Sequence, residues 1–144
     1  MNKIKSITLV LMSLLMYSCN GNAQEKSSSS TSENKIEVID FHSTHRCKTC
    51  NAIEANTKFT LETYFAKELE SGIITFQSIN IDEEKNYAMA EKFEASGTSL
   101  FINVIIDGDE KIFNLTNIAF QKGRDQEVFS KVLKDKINRL LKKL

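Results

Sequence analysis

The chain has 144 residues, 41% of them apolar, with 19 basic and 19 acidic side chains. That size and apolar share fit one small packed domain with short additions. Balanced charge without basic-aromatic interleaving argues against nucleic-acid binding. Pro and Trp are both absent, which bears on the site below.

Residues 1–18 open with Lys3 and Lys5 and continue into an apolar run at 7–16. A basic start followed by about ten apolar residues reads as a secretory signal peptide, too short to span a bilayer as a mature helix. It ends in Leu15-Met16-Tyr17-Ser18-Cys19. A small residue directly before a cysteine, after an apolar run, resembles the bacterial lipoprotein lipobox, although Tyr17 stands where a small residue is usual. The resemblance implies cleavage before Cys19 and lipidation of Cys19. Ordinary cleavage and an uncleaved anchor are the alternatives. Each buried CH₂ of an acyl chain contributes about 0.8 kcal/mol, so more than one chain gives stable anchoring.

Loss of residues 1–18 removes Lys3 and Lys5 and no acid, so 19 basic residues become 17 against 19 acidic. Cys47 and Cys50 are then the unmodified cysteines, and an even pair in an exported protein fits disulfide chemistry. Residues 19–34 follow as a Ser-rich tether, with four serines at 27–30 and almost nothing apolar to bury. Such a stretch is expected to stay disordered. About fifteen residues of it reach roughly 20 Å root-mean-square, enough to lift a domain off a membrane.

Residues 35–144 carry the periodicities of a folded domain. Residues 36–41 read as a central strand. Ile53, Leu61, Phe65 and Leu69, with Tyr64 beside them, recur at helical spacing, and Ser71-Gly72 ends that helix. A second strand is expected over 73–81. Asp82 is a candidate cap for a helix over 83–95, with Tyr87, Ala90 and Phe93 inward. Gly97 breaks the chain before a third strand at 100–106. Asp107-Gly108 signals a hairpin with a return strand at 111–116. Residues 117–123 read as a loop. The last helix is expected from Arg124 or Asp125 to Leu144, with Phe129, Val132, Leu133, Ile137, Leu140 and Leu144 on one side. The basic residues Lys134, Lys136, Arg139, Lys142 and Lys143 complement its dipole and read as a solvated face, with a membrane-surface contact as the alternative. The order is β-α-β-α-β-β-α, an α/β fold whose first two strands are parallel.

Cys47-Lys48-Thr49-Cys50 falls between the first strand and the first helix. A Cys-x-x-Cys there is a redox pair in oxidising surroundings and half a metal site otherwise. The thiolate is the attacking species. Cys47 at a helix N-terminus faces unpaired N–H groups and the positive dipole end, and His45, Arg46 and Lys48 add positive charge. These features are expected to lower its pKa below the free value of about 8.5. Cys47 is therefore the expected nucleophile, and Cys50, one turn in, the resolving thiol. Thr98 and Ser99 are candidates for contacts to a bound peptide. Phe120 is a groove candidate, with packing on the sheet as the simpler reading. Glu83, Glu84, Glu91 and Glu94 read as a solvated helix face.

Two other readings of the cysteines stay open. His42, His45, Cys47 and Cys50 offer four ligands within nine residues, a copper or zinc site in a binding or non-catalytic partner module. An inert structural disulfide three residues apart closes almost no loop and stabilises little. Asn51 after Cys50 excludes a Cys-x-x-Cys-His haem attachment.

A Cys-x-x-Cys after the first strand of this element order resembles the thioredoxin superfamily, which implies a three-layer sandwich around a mixed four-stranded sheet. More narrowly, the motifs at 41–50 (FHSTHRCKTC), 79–84 (INIDEE) and 96–100 (SGTSL) are similar to small bacterial thioredoxin-like proteins of the nitrophenyl compound nitroreductase subunit (ArsF-type) family. Three positions depart from the superfamily pattern. Arg46 stands where Trp usually precedes the first cysteine, Lys48-Thr49 replaces Gly-Pro or Pro-His, and Ser99 occupies the place of a cis-Pro. A cis peptide before a non-Pro residue costs about 2.5–4 kcal/mol, so a trans bond is expected there. Asp40, before Phe41 on the first strand, resembles the buried first-strand carboxylate of thioredoxin-like sites, although the loop to the first cysteine is one residue longer here. The resemblance implies a proton acceptor for Cys50, with a plain strand residue as the alternative. Nitro reduction needs a flavin or metal to handle the electrons, and no flavin-binding pattern is visible, so the narrower resemblance implies at most a thiol partner in such a system. The expectation is a monomeric, lipid-anchored thiol–disulfide oxidoreductase of the bacterial cell envelope, without a cofactor. Its partners would be thiols and disulfides of exported proteins or a redox partner protein.

Overall fold

The computed structural model describes residues 34–144. The expected signal peptide, the expected lipidation site Cys19 and nearly all of the expected tether lie outside the described residues. The elements are β1 (Lys35–His42), α1 (Lys48–Tyr64), α2 (Ala66–Glu70), β2 (Ile74–Asn80), a 3₁₀ turn (Glu84–Asn86), α3 (Tyr87–Lys92), β3 (Ser99–Ile106), β4 (Asp109–Asn114), α4 (Thr116–Lys122) and α5 (Gln126–Leu141). The sheet order is β2-β1-β3-β4. β1 runs parallel to β2, and β3 is antiparallel to both β1 and β4. With helices on both faces this is a thioredoxin-like three-layer sandwich.

Strand alternation divides the core into two clusters. Ile36 and Val38 of β1 and Leu100, Ile102 and Val104 of β3 point to one face, against Ile53 and Leu61 of α1 and Phe129, Leu133, Ile137 and Leu140 of α5. Ile39 and Phe41 of β1, Ile79 of β2 and Phe101 of β3 point to the other, against Ala90, Phe93 and Ala95. Phe41, Phe93 and Phe101 form a triangle with ring centroids 5.4–5.8 Å apart. By the same alternation Asp40 shares the α1 face with Val38.

The hairpin turn has Asp107 at φ 53° and Gly108 at φ 90°. Positive φ at both central residues is the geometry whose twist matches two antiparallel strands. Gly72 follows α2 at φ +79°, as expected for a helix stop. Among the described residues no peptide bond is cis, so the Thr98–Ser99 bond is trans.

Four expectations need correction. The helix after Cys50 breaks at Phe65, whose φ of −135° ends α1, and its buried side chain draws the chain inward before α2. Asp82 caps no helix: its carboxylate accepts from the Thr44 N–H at 2.7 Å, so the chain makes a 3₁₀ turn before a short α3. Tyr87 is 55% exposed rather than inward. Residues 117–123 are not a loop but form most of α4, which buries Ala119 and leaves Phe120 43% exposed.

Candidate active site

β1 delivers the chain to the cysteines at the C-terminal end of two parallel strands. The intervening turn is fixed from the β2 side. Asn80 Nδ2 donates to Thr44 Oγ1 (3.1 Å), the Ile81 N–H donates to the His42 carbonyl (2.8 Å), and Asp82 holds the Thr44 N–H. The backbone bond from Thr44, followed by its side-chain bond, keeps the Asp82 carboxyl below its usual range.

Cys47 is the N-cap of α1. Its carbonyl accepts the first helical bond, from the Asn51 N–H (3.0 Å), and its Sγ accepts from the Cys50 N–H (3.0 Å). No acidic residue occupies the first turn of α1, so the positive end of the helix faces the sulfur without a competing carboxylate. Cys47 and Cys50 form a disulfide with Cα atoms 5.0 Å apart. Cys47 is exposed, and Cys50 retains 8% exposure. The pair is therefore asymmetric toward any incoming molecule.

Beneath it lies a cluster of charged groups. Asp40 is 0% exposed. Its Oδ2 accepts from Arg46 Nη2 at 3.1 Å, and its Oδ1 has no partner. The same Arg46 nitrogen lies 3.5 Å from the Cys50 carbonyl oxygen, which places Asp40 one guanidinium away from the buried cysteine. Arg46 Nη1 bonds Glu54, and Glu54 also takes Lys58 Nζ at 2.6 Å, one turn along α1. Burial pushes the Asp40 carboxyl up to about 7, against the pull of Arg46 and with the help of the Glu54 charge. For Glu54, partial burial acts upward, but the hydrogen bonds and charges of Lys58 and Arg46 overcome it and hold the group at about 2.

Among the residues expected at the site, Cys47, Cys50, Asp40 and Arg46 come together. Arg46 is turned under the cysteines onto carboxylates, while His45 and Lys48 stay at the surface. Ser99 opens β3 opposite Phe41, so it and Thr98 lie at the cysteine end of the sheet, both half-buried. Ser99 Oγ donates to the Gly97 carbonyl (3.1 Å). The four-ligand copper or zinc set is not assembled: among the described residues no three His, Cys, Asp or Glu side chains converge on a metal position. His42 Nδ1 instead lies 3.0 Å from the Ser43 carbonyl oxygen. Glu54 and Lys58 were not singled out in the sequence. Their i,i+4 spacing is a readable pair signal, but the bridge from Glu54 to Arg46 needs the tertiary structure.

No family model matches the chain, and no curated protein sequence matches it. Solved structures that align with it include a thioredoxin of Fasciola hepatica, 18% identical over 62% of this chain and 78% of that one, with a TM-score of 0.37. Mitochondrial thioredoxin 3 of Saccharomyces cerevisiae, in its oxidised form, is 19% identical over 63% and 77%, with a TM-score of 0.38. A malarial protein is 17% identical over 64% and 99%, with a TM-score of 0.37. The fold assignment stands on strand order and direction rather than on these likenesses.

Proposed function

We propose that the domain is a thiol–disulfide oxidoreductase, held by a lipid on Cys19 at the extracytoplasmic side of a bacterial membrane. The observation that carries the redox reading is the asymmetric pair itself: an exposed Cys47 bonded to a buried Cys50 at the first turn of a helix. In the reduced protein, Cys47 thiolate attacks one sulfur of a substrate disulfide. A Cys47–substrate disulfide forms, and the other substrate sulfur leaves as a thiolate. Cys50 then gives its thiol proton to the Asp40 carboxylate and attacks Cys47 Sγ. The Cys47–Cys50 bond forms, the second substrate sulfur leaves, and the substrate disulfide has taken two electrons from the dithiol. Oxidation of a substrate dithiol is the reverse sequence. Cations and a helix terminus that stabilise the Cys47 thiolate favour the reduced domain, and so favour the oxidising direction.

Thr98 and Ser99 sit at the end of β3 beside this opening and are the proposed contacts for a substrate peptide. The likeness to the ArsF-type family rests on the motifs at 41–50, 79–84 and 96–100, and within it the domain would serve as a thiol partner. The lipid anchor rests on the sequence around Cys19.

The test is trapping. Cys50→Ser in the full-length protein is expected to accumulate mixed disulfides with envelope proteins, and Cys47→Ser is not. Equal trapping by both variants, or by neither, overturns the reading. For the anchor, Cys19→Ala is expected to abolish incorporation of labelled palmitate and release the protein from membranes; unchanged labelling overturns it.

A further inference from the structure

We infer that Arg46 and Glu54 form a positioning pair that sets the proton affinity of Asp40 in opposite senses, and through it the pH at which Cys50 releases its proton. The coupling to Cys50 rests on the thiol-exchange reading above; the action on Asp40 does not.

The geometry is that of a divided guanidinium. A planar fork that gave both N–H groups to one carboxylate would compensate that carboxylate fully. Arg46 instead gives Nη2 to Asp40 (3.1 Å) and Nη1 to Glu54. Asp40 is left with one bonded oxygen and one buried oxygen without a partner, and Arg46 Nε also lacks one. A buried carboxylate compensated on one side holds its proton longer than one compensated on both. Glu54 acts twice: it draws half of the guanidinium away and adds a second negative charge nearby. The charged groups bearing on Asp40 are Arg46 from the turn before α1, and Glu54 and Lys58 from α1. Its cross-strand neighbours, Ser78 on β2 and Leu100 on β3, carry no charge.

The arrangement also accounts for the residue before the first cysteine. Arg46 is the only group that bonds Asp40, reaches the Cys50 carbonyl and holds α1 through Glu54 among the described residues. A neutral side chain at that position would leave Asp40 buried without a bonded counter-charge.

The experiment titrates Asp40 directly by ¹³C carboxyl NMR in the full-length oxidised protein in detergent, with Asp40→Asn identifying the resonance. Glu54→Gln is expected to move the midpoint down and Arg46→Gln to move it up, each by about half a pH unit or more. Arg46→Lys keeps the charge without the fork. It is expected to fall between wild type and Arg46→Gln, and it covers the case in which Arg46→Gln does not fold. The pH profile of thiol exchange in the reduced proteins is expected to shift in the same directions, and in an Asp40→Asn background both shifts are expected to vanish. Shifts of one sign, or no shift in Glu54→Gln, overturn the pair's action on Asp40. A titration that moves while the exchange profile stays fixed overturns the coupling to Cys50. A wild-type protein that exchanges no thiols removes the redox reading and that coupling, while the NMR titration still decides the action on Asp40.

Discussion

A carboxyl group with no exposed surface on an inner strand ties local charge to global stability. The folded-state value for Asp40 is raised from 3.8 to about 7. The protonated form is therefore the one the fold favours. Its stabilising contribution is complete below pH 3.8 and is lost as pH rises to about 7, where the folded protein also ionises. Over those roughly three pH units the loss amounts to about 4 kcal/mol, at 1.36 kcal/mol per unit. Asp40→Asn removes this loss. Its stability relative to wild type is therefore expected to rise between pH 4 and pH 7 and to level off above, as urea unfolding at each pH would show. A constant difference across that range would contradict the assignment. Glu54 runs the other way, since its lowered value contributes stability above its ordinary titration range that disappears as pH falls toward 2. At this scale the Cys47 and Cys50 pair was legible because a Cys-x-x-Cys between a strand and a helix is a local pattern, whereas Asp40 was singled out only by its resemblance to thioredoxin-like sites. Arg46 was legible as a cation but not as one divided between two carboxylates eight residues or fewer away, because side-chain direction across a turn is not a periodic signal.

The helix that begins at Cys47 buries Ile53, Thr57, Thr60 and Leu61. The apolar periodicity showed Ile53 and Leu61 but passed over the two threonines between them. Their hydroxyls are satisfied inside the fold: Thr57 donates to the Ile53 carbonyl (2.8 Å), and Thr60 bonds Ser130 Oγ of α5 (2.8 Å). Small hydroxyl residues thus replace aliphatic ones where α1 meets α5. The missed helix α4 has a similar cause. Its N-cap, Leu115, makes no side-chain cap bond, so the usual start signal is absent, and the Asn114 side chain takes the Thr116 N–H instead (2.9 Å). α4 ends at Gly123, where a Cβ would stand 2.4 Å from the Ala119 carbonyl oxygen and 2.6 Å from Ile53 Cγ1. The Gly123 carbonyl also receives Asn56 Nδ2 at 2.7 Å. Gly123→Ala is therefore expected to destabilise the domain by about 1–3 kcal/mol, the range for overpacking. A thermal melt of the variant measures this, and an unchanged midpoint would show that α1 and α4 are not in this contact.

Across the whole molecule, element order and strand direction were readable because each strand and hairpin signal was strong and the topology rules leave few alternatives. The division of labour between the two faces was not. The α1 face holds the cysteines, Asp40 and the Arg46 cluster, and the α3 face holds the aromatic triangle. Phe93 is 4% exposed and packs on both Phe41 and Phe101. Phe93→Ala is expected to cost about 3–5 kcal/mol of stability while leaving thiol exchange by the folded fraction unchanged, as unfolding curves and exchange rates on one sample would show. The chain enters the described domain at the opposite end from the cysteines: Asn34 bonds the Leu144 carbonyl (3.2 Å) and the Asp107 N–H (2.8 Å), eight strand residues before His42. The most direct measurement is competitive alkylation of the reduced full-length protein with iodoacetamide at pH 7, followed by peptide mass spectrometry. The account predicts that Cys47 is modified at least about tenfold faster than Cys50, since thiolate character and access both favour it; equal rates, or modification of Cys50 first, would contradict it.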